Sequence, residues 1–331
     1  MAESKMMNIL TATDDNYAPW CGVMLSSLFQ QHPEEDIRVY VLADNVSEYN
    51  KDKFRKLSHK ITIIELTDAS FNEWVPSLDL GEYLSRTTWA RLALGDVLPA
   101  EVHKILHIDA DAIILGSIRE LYETDLDGMA AAAVDEYRDA RYIGIEGCYF
   151  NAGVILFNVD YFRDNKVKDR CIEFIKDNAA VIRYHDQDVL NKVLEGKVLF
   201  KHRKFNLTCH RDVISEDLRK GTDFKEDKEA VYDGDIRIYH FVGKSKPWIL
   251  YRFEPAAFDA CWRKAYRSSL WNDAQLSLAV RSIREKFTVM VVNLLFRMRI
   301  RRSNDTPQWV MTYPNSRWNR FKSFFSLDSY R

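Results

Sequence analysis

The N-terminal part of the chain alternates between two kinds of hydrophobic pattern. Short apolar runs at residues 8–13 (NILTAT), 37–44 (IRVYVLAD) and 61–67 (ITIIELT) are typical of buried strands. Residues 20–32 repeat apolar side chains at helical spacing, and residues 48–58 form a polar helical stretch. Strand alternating with helix predicts a parallel sheet with helices on its faces. Ligands of such sheets lie outside the carboxyl ends of the strands.

The middle of the chain continues both patterns. Residues 87–99 (TTWARLALGDVLP) predict a helix closed by Gly95 and Pro99, and this helix leads into KILHIDADAII (104–114), which reads as one strand. We predict further strands and helices in five segments: strands at 129–136, 149–159 and 236–243, and helices at 166–178 and 184–194.

Composition limits the classes of partner. The 331 residues, 47% of them hydrophobic, are enough for one large domain or for one domain with an appendage. The net charge of -2 provides no attraction to nucleic acid, so we expect no nucleic-acid partner. The charge is uneven, because residues 281–331 carry 11 basic and 3 acidic side chains, a net +8, whereas the rest of the chain carries -10. An anionic partner surface should therefore meet the tail.

Three observations favour a cytoplasmic protein. The five cysteines are odd in number and not closely paired, which predicts small buried side chains, not disulfides or a zinc site. The opening MAESKMMNIL has no basic region followed by a long apolar core, so we expect no secretory signal. The apolar stretch at 287–296 is about half of the ~20 residues that a membrane-spanning helix needs.

Two carboxylates interrupt the most apolar of the predicted strands. Asp109 and Asp111 are two residues apart, which in a strand places both side chains on one face. Such a pair repels unless a cation lies between its members, and Mn²⁺ or Mg²⁺ is the usual answer. Two other interpretations stay open: the pair caps the turn after the strand, or Asp109 attacks a phosphoryl group as in phosphatases. The phosphatase interpretation is disfavoured because Ala112 and Ile113 follow, where that fold has Gly and Thr.

A second motif, HFVGKSKPW (240–248), supports the metal interpretation. It follows the last predicted strand and offers an imidazole, a glycine and two lysines. His240 would complete a metal site with the two carboxylates, and Lys246 would neutralise a phosphate.

Two further polar motifs precede predicted helices. ATDDNY (12–17) lies at the end of the first strand, where a base or ribose would be hydrogen-bonded, although helix capping is an alternative. It lacks a glycine-rich loop, so the phosphates would be held by the metal and Lys246. YHDQD (184–188) opens a helix, and we expect one of its acidic residues to be a cap.

Six motifs, in this order and at this spacing, resemble glycosyltransferase family 8, the retaining sugar-nucleotide transferases. They cover roughly residues 7–250, and bacterial lipopolysaccharide and lipooligosaccharide hexosyltransferases are the most similar in pattern. The resemblance implies an α/β fold with a Rossmann-like, mostly parallel mixed sheet flanked by helices, the GT-A type. It also implies a catalytic domain at 1–250 and a helical extension at 251–331 with a basic, amphipathic tail. The motifs are TATDDNYA, RTTWARLALGDVLP, HIDADAII, YFNAGVILFN, YHDQDVLN and HFVGKSKPW.

The family's functional residues carry over to matching positions. The resemblance implies that Asp109, Asp111 and His240 hold Mn²⁺ on the diphosphate of UDP-glucose or UDP-galactose, with Ala110 between the two carboxylates in the donor site. The other implied contacts are Ala12, Asp14 and Asn16 for uridine, Gly243 and Lys246 for the diphosphate, Arg91, Asn151, Asp186 and Gln187 for the donor hexose, and, more loosely, Asp135 and Tyr184 for the acceptor.

The implied reaction transfers a hexose with retention of configuration. A double displacement would need a carboxylate against the anomeric carbon, but the family position is Gln187, an amide and a poor nucleophile. Same-face attack by the acceptor hydroxyl is therefore favoured, and Asp186 remains a candidate nucleophile. The implied acceptor is the lipopolysaccharide core. The alternatives are a protein, storage-polysaccharide or small-molecule acceptor, or a non-catalytic UDP-binding membrane scaffold.

The tail suggests where the protein acts. Residues 277–302 place apolar side chains between two groups of basic ones, as in a helix that lies in an anionic membrane interface. We expect peripheral attachment to the inner face of the cytoplasmic membrane, where a lipid-linked acceptor would be available; a helix packed on the body is the alternative. Aromatic residues that would add interfacial contacts are Trp309, Trp318, Phe321, Phe324 and Phe325.

Overall fold

A seven-stranded mixed sheet organises the protein. The computed structural model describes residues 6–67, 86–208, 235–243, 246–250, 258–278, 282–287 and 290–291. The strands of the large sheet, in chain order, are β1 (Met7–Asp14), β2 (Ile37–Asp44), β3 (Ile61–Glu65), β4 (Lys104–Ile108), β6 (Ala131–Asp135), β7 (Phe150–Asn158) and β8 (Val198–Phe200). Their order across the sheet is β3-β2-β1-β4-β7-β6-β8.

The sheet is parallel on one side and mixed on the other. Strand β1 pairs in parallel with β2 and β4, and β2 pairs in parallel with β3. Strand β7 is antiparallel to both neighbours, β4 and β6, while β8 is parallel to β6. The predicted mostly parallel, mixed sheet is therefore confirmed.

Helices cover both faces of the sheet. The α-helices of the described residues up to position 278 are α1 (Ala18–Gln31), α2 (Glu48–Leu57), α3 (Arg86–Ala90), α4 (Leu94–Val97), α5 (Arg119–Tyr122), α6 (Val159–Asp164), α7 (Val167–Asn178), α8 (His185–Val193) and α9 (Asp259–Ser268). Successive strand residues such as Ile9 and Leu10 belong to two different buried clusters, because side chains alternate between the faces of a strand. One cluster packs under α1 and α2, and the other packs under α4, α6, α7 and α8.

The predicted helix at 87–99 is broken into three pieces. Helix α3 ends at Ala90, a 3-10 turn covers Arg91–Ala93, and α4 follows. Arg91 is buried at the break, where its guanidinium donates to the carbonyl of Ala152, 2.7 Å away. A short 3-10 segment inside a helix often marks a functional position, and here it lies at the buried Arg91 side chain.

The prediction that Asp109 and Asp111 share a strand is wrong. Strand β4 ends at Ile108, and the Ala112 N–H donates to the Asp109 carbonyl at 3.2 Å across a tight turn. The chain then enters a second sheet of three short strands, β5 (Ala112–Ile114), β9 (Leu207–Thr208) and β10 (Ile238–His240), in the order β5-β10-β9. The two carboxylates thus lie on a turn between sheets, and the predicted strand at 236–243 contributes only three residues, to the smaller sheet.

Residues 258–278 pack against the body of the protein. Trp262 of α9 lies 5.8 Å from both Trp20 and Trp248, ring centre to ring centre. Trp271 is fully buried against Gly22, where an added Cβ would lie 2.2 Å from the indole. The division into domains at residue 250 stays a prediction.

The tail differs in part from its prediction. Ser277 and Leu278 form strand β12, which pairs with β11 (Ile249–Leu250), so the predicted helix does not begin there. Residues 283–287 are helical, and Ile283 is 85% exposed. None of the helices seen in the described ranges has the length and apolar character to cross a bilayer. The tail aromatics named above, from Trp309 onward, lie outside the described residues.

The cysteine prediction is half correct. Cys21 and Cys171 are buried, whereas Cys148 and Cys261 are exposed free thiols. Cys209 lies outside the described residues.

Candidate active site

The turn that carries the two carboxylates is fastened to both sheets. The Asp109 N–H donates to the carbonyl of Gly153 on β7 at 2.8 Å. The Phe241 N–H, just after β10, donates to the carbonyl of Asp111 at 2.9 Å. The turn therefore brings the carboxyl end of β4 against the end of β10, which carries His240.

Asp109, Asp111 and His240 form one compact cluster. One ligand atom from each lies within 4.8 Å of the others, as expected of groups that could share a metal ion. The His240 Nε2 lies 3.0 Å from the Asp111 Oδ1 and 3.7 Å from the Asp109 Oδ2. The predicted triad is thus brought together from positions more than a hundred residues apart.

Asn206 orients the His240 ring. The His240 Nδ1 lies 3.2 Å from the Asn206 Oδ1, and Asn206 in turn donates its Nδ2 to the Asn151 Oδ1 at 2.9 Å. An acceptor at Nδ1 favours a proton there, so Nε2 is the ring nitrogen that a metal ion would bind. This is the arrangement that metal-binding histidines use.

Gly153 makes room for the cluster. A Cβ at this position would lie 2.0 Å from the His240 Cε1 and 2.9 Å from the Asp109 Oδ2. Only glycine lets the ring and the carboxylate approach the strand this closely. The glycine cradle and the two-carboxylate, one-imidazole donor set both fit a hard or borderline divalent cation.

Asp109 is held in its ionised form. Burial alone would raise its pKa, but Arg91, His107 and His240 oppose burial and hold the pKa well below its usual range. Arg91 Nη2 donates to Asp109 Oδ1 at 3.1 Å, and His107 Nε2 lies 2.9 Å from the same oxygen. Burial and Arg91 lower the pKa of His107 to about 4. His107 therefore helps to orient a carboxylate of the candidate metal site.

Lys246 meets the other carboxylate. Its Nζ donates to the Asp111 Oδ2 and, at 2.7 Å, to the Phe241 carbonyl. Burial raises the pKa of Asp111, but His240 and Lys246 outweigh burial and lower it overall. Gly243 adopts a φ of 72°, a left-handed conformation that glycine tolerates at low cost.

Arg91 also contacts Asp186, at the start of α8. The Arg91 Nε lies 3.0 Å from the Asp186 Oδ2, although the pair lacks hydrogen-bond geometry. Burial raises the pKa of Asp186 to about 6, Arg91 opposes this shift, and Asp109 adds to it. A buried, weakly satisfied carboxylate beside a candidate metal site is typical of a substrate-binding group.

Gln187 and Asn151 lie on the same wall of the site. Gln187 Oε1 accepts from the Ala152 N–H at 2.9 Å and from Asn151 Nδ2 at 3.3 Å. Its Nε2 donates to the Glu136 Oε2 at 2.7 Å and to the Tyr149 hydroxyl at 3.2 Å. These bonds join α8, β7 and the segment after β6.

The end of β1 borders the candidate metal cluster. Asp14 Oδ1 accepts from the Tyr17 N–H at 2.8 Å, in the turn between β1 and α1. Burial raises the pKa of Tyr17, Lys246 lowers it, and the carboxylates of Asp111, Asp14 and Asp109 raise it further, so the phenol shares their field.

The rest of the ATDDNY motif lies at the open end of β1. Ala12 is half-buried and Asn16 is exposed. Asp15 accepts from the Ser47 N–H and from Asn50 Nδ2, both at 2.8 Å, so it fastens the start of α2 and does not cap α1, the helix that follows the motif.

Asp135 and Tyr184, the two residues expected to contact the acceptor, belong to the segments next to Glu136 and Gln187. Asp135 Oδ1 accepts from the N–H groups of Tyr137 and Tyr149 at 2.8 and 3.2 Å, and burial raises its pKa. Tyr184 is 41% exposed, with the guanidinium of Arg138 3.7 Å from its ring centre.

Asp188 fastens the segment before α8 from within the first turn of the helix. It is fully buried and accepts from the N–H groups of Arg183 and Tyr184, at 2.7 and 2.9 Å. The expectation that one acidic residue of this motif is the cap is wrong, because the cap position is Tyr184 and no side chain caps it.

Sequence reasoning missed three residues of the site. Gly153 carried a usable signal, because a glycine inside an apolar strand suggests close approach by another group. Glu136 and Asn206 carried none, since their partners Gln187 and His240 are distant in sequence.

Comparisons with known proteins identify the family. The model of Glycosyl transferase family 8 matches residues 8–250. The chain belongs to glycosyltransferase family 8. A putative glycosyltransferase of Haemophilus influenzae is 30% identical over 258 residues, 74% of each chain. The lipopolysaccharide 1,3-galactosyltransferase of Salmonella typhimurium is 27% identical over 262 residues, 75% of this chain and 74% of the relative. The lipopolysaccharide 1,2-glucosyltransferase of Escherichia coli K12 is 25% identical over 282 residues, 82% and 80% of the two chains.

A solved structure of the same family matches the fold. The galactosyltransferase LgtC, known in complex with donor and acceptor sugar analogues, superposes with a TM-score of 0.67 at 27% identity. The match covers 80% of this chain and 96% of LgtC. The family 8 chain described here therefore has the GT-A type of fold.

Proposed function

We propose that the protein is a retaining hexosyltransferase that moves glucose or galactose from a UDP-sugar to a glycan acceptor, with Mn²⁺ on the diphosphate. One observation carries the proposal: Asp109, Asp111 and His240 converge beside Lys246 at the carboxyl end of the sheet. Asp109, Asp111 and His240 would hold the ion, with Mg²⁺ as an alternative. A bound divalent cation would neutralise the charge that develops on the departing diphosphate.

Lys246 supplies the second positive charge. In the free protein its ammonium group is paired with Asp111, so the group is pre-positioned at the edge of the cluster. When a cation binds Asp111, the Lys246 ammonium group would contact the diphosphate instead. Lys246 would therefore stabilise UDP as it leaves. The departure of UDP is the main barrier to sugar transfer.

The wall formed by Arg91, Asp186 and Asn151 would receive the hexose. Arg91 bridges Asp109 of the metal cluster and Asp186, so the sugar would lie directly beyond the diphosphate. Asp186 is 5% exposed and its Oδ2 makes no hydrogen bond in the described part of the chain. A hexose hydroxyl at this oxygen would satisfy it and would fix the sugar in position.

Gln187 is a poor candidate for a nucleophile. Both lone pairs of its amide oxygen are already engaged, by the Ala152 N–H and by Asn151 Nδ2. We therefore favour attack by the acceptor hydroxyl on the same face as the leaving group, with the departing phosphate oxygen taking the proton. Asp186 is the alternative nucleophile, and a covalent glycosyl-enzyme trapped at this residue would establish it.

We further propose a lipid-linked acceptor of the lipopolysaccharide-core type, on the inner face of the cytoplasmic membrane. The two lipopolysaccharide transferases named above support this choice of acceptor. The basic residues at 281–331, a net +8, would attract an anionic bilayer, at about 1 kcal/mol for each basic residue at the surface.

The decisive experiment measures UDP release from several UDP-hexoses with and without Mn²⁺. We expect one UDP-hexose to be turned over, only when Mn²⁺ is present, and Asp109→Asn to remove that turnover. Full metal-dependent activity in Asp109→Asn would contradict the site assignment. Tight UDP binding without transfer or hydrolysis across a broad acceptor panel would favour the non-catalytic scaffold.

A second experiment tests the acceptor and the membrane. A chain lacking residues 279–331 should lose both recovery with anionic vesicles and activity on a lipid-linked acceptor, while it still releases UDP in the absence of acceptor. Unchanged vesicle binding and lipid-acceptor activity would favour a protein, polysaccharide or small-molecule acceptor.

A further inference from the structure

Glu136 is an acidic residue beside the presumed sugar site that the proposed reaction has not yet used. It follows β6, and its side chain is 12% exposed. Its Oε2 accepts from Gln187 Nε2 at 2.7 Å. This is the shortest of the four hydrogen bonds that Gln187 makes through its side chain.

The four bonds leave Gln187 only one orientation. A side-chain amide has two donors and two lone pairs, and all four are used here. A flipped amide would point Nε2 at the Ala152 N–H, donor against donor, and Oε1 at the Glu136 carboxylate, acceptor against acceptor. Tyr149 favours the same orientation, because its hydroxyl donates to Asp188 at 2.5 Å and can therefore only accept from Gln187. Glu136 is the one charged group among the four partners, and its hydrogen bond to Gln187 is the shortest.

Glu136 is itself held in place. Arg138 donates to it through Nε at 3.2 Å and Nη2 at 3.1 Å, and the Arg138 guanidinium stacks on Tyr184. The charged or titratable groups that face the Glu136–Gln187 contact are therefore Arg138, Tyr149 and Tyr184, with Asp188 behind Tyr149.

We propose that Glu136 is a positioning residue of the transfer reaction: it locks the Gln187 amide so that Oε1 faces β7, and it thereby fixes the wall that the hexose meets. The inference rests on the proposed function. It extends the proposed function by giving Gln187 a role: the amide acts as a rigid element of the wall and not as a reacting group. Arg138 and Tyr184 anchor Glu136 from the acceptor side.

The first test compares kinetic constants. Glu136→Leu removes the acceptor, and we expect kcat to fall at least about tenfold while the KM for the UDP-hexose changes less than about twofold. Glu136→Gln keeps an acceptor oxygen and should lose less. Glu146→Gln, an exposed carboxylate in the segment between β6 and β7, is the matched control and should behave as the wild type. Unchanged kcat in Glu136→Leu would overturn the proposal.

The second test reverses the hydrogen bond. Gln187→Glu sets two carboxylates in contact, which forces them to share a proton. Its kcat should therefore fall as pH rises from about 5 to about 8, relative to wild type. The double variant Glu136→Gln/Gln187→Glu restores one donor and one acceptor, so it should recover at least about tenfold in kcat at the upper pH and lose the added pH dependence. A double variant as impaired as Gln187→Glu would refute the orienting role.

The same variants give a readout that needs no activity. The urea midpoint of Gln187→Glu should fall relative to wild type over the same pH range, since the folded state then binds more protons than the unfolded state. The double variant should run parallel to wild type. If the wild-type protein transferred no hexose from any UDP-sugar, the proposed function would fail. If the urea midpoints of Gln187→Glu and wild type changed in parallel with pH, the Glu136–Gln187 contact would be overturned, whatever the outcome of the transfer assay.

Discussion

Gly153 and His240 approach each other so closely that a Cβ on the glycine would lie 2.0 Å from the His240 Cε1. The same Cβ would lie 2.9 Å from the Asp109 Oδ2, so one missing methyl group admits two of the three presumed metal ligands. The geometry of the site therefore depends on a residue that has no functional group.

Gly153→Ala should weaken Mn²⁺ binding strongly. The methyl group must displace the imidazole or the strand, and a backbone shift in a packed sheet is costly. Calorimetric titration of Mn²⁺ in the presence of UDP should show a loss of at least about tenfold in affinity. Gly147→Ala is the matched control, because nothing lies within 4 Å of an added Cβ there. Wild-type metal affinity in Gly153→Ala would contradict the prediction and would show that the strand can shift to accommodate the methyl group.

Lys246→Met should weaken diphosphate binding selectively. The variant keeps the length of the side chain but loses the charge, so UDP affinity should fall about tenfold while uridine affinity stays unchanged. Removing the ammonium from Asp111 should leave Mn²⁺ binding intact or tighter. Lys60→Met, which breaks only a surface pair with Asp36, serves as the control. Equal loss of UDP and uridine affinity would argue that Lys246 merely shapes the pocket.

Asp186 should make the stability of the metal-free protein depend on pH. Its pKa rises from 3.8 to about 6 on folding, so the folded state binds an extra proton between these values. Its contribution to stability is therefore present below about pH 4 and is lost as pH rises through about 6. Asp186→Asn should match wild type at low pH and become more stable by up to about 3 kcal/mol above pH 6. Urea unfolding in a chelator at several pH values measures the difference, and a constant difference would disprove the shift.

Trp271 should be essential for stability. It is fully buried, fills the space over Gly22, and donates its Nε1 to the Asn50 Oδ1 at 2.8 Å. Trp271→Ala should cost about 3–5 kcal/mol of unfolding free energy, whereas Leu270→Ala, at a residue that is 43% exposed, should cost less than about 0.5 kcal/mol. A chain cut after residue 250 loses Trp271 and should be destabilised as well. If Trp271→Ala or the chain cut after residue 250 were as stable as the wild type, residues 258–278 would be a dispensable appendage.

The sequence alone determined most of the elements. Strand β2 matches its predicted bounds of residues 37–44, because a continuous apolar run bounded by polar residues leaves few alternatives. Helix α2 begins at Glu48, as its polar helical pattern predicts, and Ser47 is its cap. The sequence also indicated that Asp109, Asp111 and His240 come together, since carboxylates in an apolar run and a histidine after a strand are chemically conspicuous.

Tertiary structure decided how those residues meet. No local pattern showed that the chain leaves one sheet at Asp109 and joins another at Ala112, because both halves of KILHIDADAII are equally apolar. Likewise, Glu136 and Gln187 are 51 positions apart, and their contact exists only because β7 and α8 pack beside the end of β6. Hydrophobic periodicity is a local property of the chain, whereas the placement of a polar side chain depends on what folding brings beside it.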